Sequence, residues 1–121
     1  MRSAILWLLA ASLCGCAYQL AQTPHLRNGW MVYAGDATTV RGTCGRLPIL
    51  LTGSHTATRL AGDCRRIAVS GNHNDVTLGL APGARITVTG AHNDIWWHRR
   101  RRGPLPRLID RGSDNRFHFV S

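Results

Sequence analysis

The chain has 121 residues, 15 of them Arg and none Lys or Glu, and a formal net charge of +9. That length holds one small domain, and the charge favours anionic partners over cationic ones. With all 6 acidic residues being Asp, a hydrolase built on paired carboxylates has little to draw on.

The first segment reads as an address. Met1-Arg2-Ser3 is a short basic start, and the apolar run from Ala4 to Leu13 is too short to span a bilayer but suits the core of an export signal. Leu13-Cys14-Gly15-Cys16 then resembles a bacterial lipobox, which makes Cys16 the expected site of acylation. The alternative is ordinary cleavage after Ala17, giving a soluble periplasmic or secreted protein. Acyl chains on Cys16 would anchor the protein at a membrane without a transmembrane helix. With Ala17 in the next position the segment resembles Gram-negative lipoproteins that lack Asp there, a resemblance that implies the outer membrane, facing the periplasm.

The expected layout is a signal peptide with lipobox at 1–16, a tether at 17–29 and a single domain at 30–121. Once Cys14 leaves with the signal and Cys16 carries lipid, Cys44 and Cys64 remain, an even pair in an oxidising compartment, and they are expected to be bonded.

Within the domain one phrase is written twice, RIAVSGNHNDVTL at 66–78 and RITVTGAHNDIWW at 85–97. Such a repeat is the mark of a coil stacked on its near copy. Aligned on the turn glycine, Gly35, Gly53, Gly71, Gly90 and Gly112 are spaced by 18, 18, 19 and 22 residues, which predicts four to five rungs. Period-two alternation around the last four glycines assigns four inward columns. These are Ile49, Ile67, Ile86, Leu108; then Leu51, Val69, Val88, Asp110; then Thr58, Val76, Ile95, Phe117; and Leu60, Leu78, Trp97, Phe119. Only Thr58 and Asp110 among them are polar. Leu50, Ile109 and Trp96 are apolar at outward positions and break the rule.

Asn74, Asn93 and Asn115 each fall three residues after a glycine, with Thr56 in the earlier rung. They are expected to form a ladder in which each amide bonds to the Asn of the next rung, with Gly supplying positive φ and Asn tolerating the left-handed region. The fold predicted is a short all-β parallel solenoid. The alternative is an antiparallel hairpin β-sandwich, because SGNHND also suits a hairpin loop. The solenoid is favoured because hairpins give no reason for each residue to repeat under its copy. Its edges need covering, and Trp30 to Tyr33 and Phe117 to Val120 are the expected caps.

These motifs resemble the bacterial domain-of-unknown-function family 3060. The resemblance rests on Cys44, Asp63-Cys64, the Ser70-to-Val76 and Thr89-to-Ile95 units, Pro106 and Gly112-Ser113-Asp114-Asn115. It implies a small exported or lipid-anchored β domain and carries no reaction and no cofactor. Thr56 at a turn, Asp110 in a core column and His before two of the Asn depart from the family pattern.

Three constellations remain. His55, His73 and His92 fall two residues after their glycines and would share a column with Asp114. Rungs about 4.8 Å apart would let imidazoles tilt onto one Zn or Cu ion, and the plainer reading is a solvated turn position that accepts any polar residue. Asp75, Asp94 and Arg116 form a second column, expected near Arg65, Arg66 and Arg85. Such groups serve polysaccharide-active β-helix enzymes, but those are far longer and build a groove from long loops, so no enzyme is expected. The third is Arg99-Arg100-Arg101-Arg102, placed where the rung lengthens and expected to project from an exposed loop toward anionic lipid, lipopolysaccharide or acidic glycan rather than nucleic acid. A plain solvated loop is the competing account. The function expected is thus a non-catalytic structural or adhesive lipoprotein module of the cell envelope, with a metal-binding periplasmic protein as the alternative and a polysaccharide-active enzyme as the weaker one.

Overall fold

The computed structural model describes residues 24–120. Cys16, its lipobox and most of the tether lie outside the described residues. Nine strands are present and no helix among the described residues: β1 (His25–Arg27), β2 (Trp30–Ala34), β3 (Thr39–Thr43), β4 (Ile49–Thr52), β5 (Ala57–Asn72), β6 (Asp75–Ala91), β7 (Asp94–Arg99), β8 (Arg107–Asp110) and β9 (Arg116–Phe119).

The chain winds as a parallel β-solenoid of about five turns. Each coil lays one strand segment on a first wall, turns at the glycine corner, lays a second segment on a second wall, and returns through a closing segment. The first wall runs β2, β4, the end of β5, the end of β6, then β8. The second runs β3, the start of β5, the start of β6, β7, then β9. Every pairing in both walls is parallel, so the hairpin sandwich is not the fold. The antiparallel exception is β1, which folds back through Asn28-Gly29 onto β2. Strand structure therefore reaches into the stretch expected as tether.

Register matches the repeat residue for residue. Ile49 pairs with Ile67, Ile67 with Ile86, and Ile86 with Leu108, while Thr58, Val76, Ile95 and Phe117 align on the other wall. Ile67, Val69, Val76, Leu78, Ile86, Val88 and Ile95 are each at most 1% exposed, so like side chains share one dry interior. Burying each stabilises the fold by roughly 1.5–3 kcal/mol. The weak first rung supplies Met31, Tyr33 and Val40 to the same columns.

The Cys44–Cys64 disulfide is formed, with Cα atoms 5.1 Å apart and a sequence separation of 20. It ties the closing segment of the first coil to that of the second. A loop of that length contributes about 3 kcal/mol in the chain-entropy account.

The two ends differ. At the start β1 covers the edge of β2, a role expected of the Trp30 rung itself. At the finish the outer edges of β8 and β9 are unpaired among the described residues, and Phe119 is 57% exposed.

Candidate functional site

The glycine corner is held by space as much as by torsion. A Cβ on Gly53, Gly71, Gly90 or Gly112 would overlap the carbonyl oxygen of the glycine one coil earlier. Positive φ occurs at Gly53, Gly71 and Gly90 but not at Gly112, so close stacking is the reason common to all four.

The left-handed residue of the corner is not the Asn but the residue before it. Ala37, His55, His73, His92 and Asp114 have φ between 52 and 58. Asp and His are among the residues that tolerate this conformation best. Histidine therefore has a backbone reason to recur there. Asn74 and Asn93 lie inside instead, 4% and 0% exposed.

The ladder they form bonds mainly to backbone. Asn93 Oδ1 accepts from the Asn74 N–H at 3.0 Å, and its Nδ2 donates to Gly71 O at 2.9 Å and Asn115 Oδ1 at 3.0 Å. Asn74 repeats the pattern with the Thr56 N–H and Gly53 O, and Asn115 with the Asn93 N–H and Gly90 O. Thr56 joins through its hydroxyl, which donates to Asn74 Oδ1 at 2.7 Å. Each amide thus pairs a backbone N–H of the corner and adds a bond to a glycine carbonyl, which at Gly90 also accepts from the Ser113 N–H.

Asp110, the polar misfit of the second inward column, terminates this ladder. In the last coil its Oδ1 accepts from Asn115 Nδ2 at 2.7 Å and from the Gly112 N–H at 2.9 Å. The bond from Asn115, then that from Gly112, holds its carboxyl below the usual carboxylate range.

His55, His73 and His92 do share a column. Their rings stack with centroids 5.1 and 4.9 Å apart and planes within 20°. Face-to-face rings direct their nitrogens alongside one another rather than toward one point, and ligands on one ion need bonds of about 2 Å. Among the described residues no group of three or more His, Cys, Asp or Glu is disposed to hold a metal. His92 Nε2 lies 3.8 Å from Asp114 Oδ2.

Asp75, Asp94 and Arg116 align as expected on the second wall. Arg66 and Arg85 do not join them, because they align with each other and with Arg107 on the first wall. Asp94 Oδ1 instead lies 3.1 Å from His118 Nε2, and the His118 ring stacks on Trp96 at 3.9 Å. Trp96 is thereby covered on one side, which accounts for an aromatic residue at an outward position.

The tract Arg99–Arg102 is an exposed loop only in part. Arg99 donates to Gly103 O at 3.0 Å, and Arg101 pairs with Asp63 Oδ2 at 2.9 Å. Pro104 O accepts from the Gly83 N–H. The loop so folds over the earlier closing segment, and Arg100, Arg101 and Arg102 are all exposed, with Arg101 tied to Asp63. Next to it runs the exposed column Arg66, Arg85 and Arg107, one strand spacing of about 4.8 Å apart. The signal for this column was an Arg directly before the Ile or Leu of three successive rungs.

Charge is consequently segregated. Asp36, Asp75, Asp94, Asp110 and Asp114 all sit at or beside the glycine corner, while Asp63 alone stands among the arginines of the closing edge. Among the described residues Arg101 is the arginine held in an ion pair.

Neither a curated protein nor a solved structure matches the chain. The model of the family described as "Protein of unknown function (DUF3060)" matches residues 51–114, a span that holds the Asn ladder from Thr56 to Asn93 and the arginine loop. That span is more than half of the chain, and the protein belongs to the DUF3060 family.

Proposed function

We propose that this domain is a non-catalytic binding module of the cell envelope, held at the outer membrane by acylation of Cys16, which contacts anionic polymers through its arginine edge. The observation that carries the reading is the in-register column Arg66, Arg85 and Arg107 beside Arg99–Arg102, with Asp63 as the acidic side chain among them. Like charges stacked at one rung spacing repel one another, and a polyanion relieves that repulsion. Arginine forks match carboxylate and phosphate oxygens in pairs. A rigid parallel ladder presents them at a fixed repeat, so little ordering is needed on binding.

The test uses the full chain against polygalacturonate and lipopolysaccharide at low and high salt. Binding should weaken as salt rises, and changing Arg99–Arg102 to Gln should weaken it further, with Arg100 and Arg102 contributing more than the tied Arg99 and Arg101. Binding unchanged by these substitutions would discard the reading.

A further inference from the structure

The first wall narrows the choice of polyanion, a choice that rests on the arginine edge being a polyanion site at all. Alternation along a strand turns every second side chain outward. On this wall Val32, Leu50, Ala68, Thr87 and Ile109 form one outward column. Leu50, Ala68, Thr87 and Ile109 are half-buried, each keeping part of its surface open. On one side of this apolar stripe runs the column Arg66, Arg85 and Arg107. On the other run Ala34, Thr52, Ser70 and Thr89. No Asp stands in any outward column of the wall.

Trp30 lies at the head of the arginine column, one residue before the first paired positions, with the Arg66 guanidinium 5.0 Å from its ring centroid. Trp30, Val32, Leu50 and Ala68 also line a shallow groove with Arg27 and Asn28. A hydrated acidic glycan offers an apolar stripe only the small C–H faces of its sugar rings, whereas an anionic lipid surface offers phosphates to the arginines and a continuous apolar layer directly beneath them. Tryptophan is at home at that boundary.

We propose that the first wall lies flat on an anionic bilayer, with Arg66, Arg85 and Arg107 on headgroup phosphates and Leu50, Ile109 and Trp30 against the boundary between headgroups and acyl chains. Both the charge and the apolar stripe are needed, and they share one face.

The experiment places an environment-sensitive fluorophore on Thr87→Cys, or on Thr77→Cys of the second wall, in a full chain also carrying Cys14→Ser and Cys16→Ser. Those two changes remove competing thiols and the acyl site. Vesicles of phosphatidylglycerol or of phosphatidylcholine contain spin-labelled lipid as quencher. The probe at 87 should be quenched on phosphatidylglycerol and not on phosphatidylcholine, while the probe at 77 stays bright on both. Arg66→Gln, Arg85→Gln and Arg107→Gln together should lower partition onto phosphatidylglycerol roughly a hundredfold, about fivefold per arginine. Their exposure keeps the fold out of the result.

Equal quenching at both positions, or none at 87, would overturn the inference. If salt-sensitive binding to polygalacturonate persisted in that case, the polyanion reading would stand without the bilayer. Loss of both would end both.

Discussion

Replacing Asn93 by Ala tests the polar ladder where water cannot reach it. The side chain is 0% exposed and makes bonds to the Asn74 N–H, Gly71 O and Asn115 Oδ1. Each is worth about 1 kcal/mol net, and leaving a buried donor or acceptor unpaired costs about 1–3 kcal/mol more. Asn93→Ala orphans the Asn74 N–H and the Gly71 carbonyl together, so about 4 kcal/mol of stability should be lost. A domain of this kind holds roughly 5–15 kcal/mol in all. Asn72 supplies the control, because it is exposed and accepts a single bond from the Ala91 N–H. Asn72→Ala should cost about 1 kcal/mol or less. Urea unfolding of the oxidised protein, followed by tryptophan fluorescence, gives both values if the slope with urea is unchanged. A loss for Asn93→Ala of under about 1 kcal/mol, or no larger than that for Asn72→Ala, would refute the claim that these amides hold the coils in place.

Two further outcomes come from the corner and the end of the ladder. Gly71→Ala should lower the melting temperature severely or prevent folding, since its Cβ meets the Gly53 carbonyl and its φ is 126°. Gly45→Ala, with open space around it, should leave the melting temperature within a few degrees of wild type. Asp110 has a folded pKa below its ordinary value of 3.8, so its stabilising contribution is present above that value and lost as pH falls through the lower folded pKa. The stability difference between wild type and Asp110→Asn should therefore shrink below about pH 4, and a difference independent of pH would contradict the terminating role.

The inward columns were legible because a parallel stack repeats its chemistry every coil. Ile67 and Ile86, Val69 and Val88, Val76 and Ile95 stand under one another as their spacing from glycine required. The disulfide was legible as the even cysteine pair left once the expected export signal and acyl site are set aside. What the letters concealed were choices made by local geometry. Nothing in Gly-x-His-Asn tells that the His takes the left-handed conformation and frees the Asn to turn inward. Nor does the string tell that an Asn ladder bonds mainly to backbone, because the orphaned groups appear only when coils are laid at one strand spacing. Asp110 looked like a flaw in the core and is its polar stop. Leu50 and Ile109 looked like breaks in alternation. They are members of an outward apolar column that single-strand pattern counting cannot assemble. The arginine column was hidden for the same reason, its members lying far apart in sequence and adjacent only through register.

Direct stacking of successive coils underlies the amide ladder, the arginine column and the apolar stripe alike, and scalar couplings across hydrogen bonds measure it amide by amide. In the isotope-labelled protein, the His73 nitrogen should couple to the Ala91 carbonyl carbon, Asp94 to Asn74, and Gly53 to Ser70. Couplings that instead join residues 66–70 to 75–79 across their own turn would show antiparallel hairpins and contradict the account.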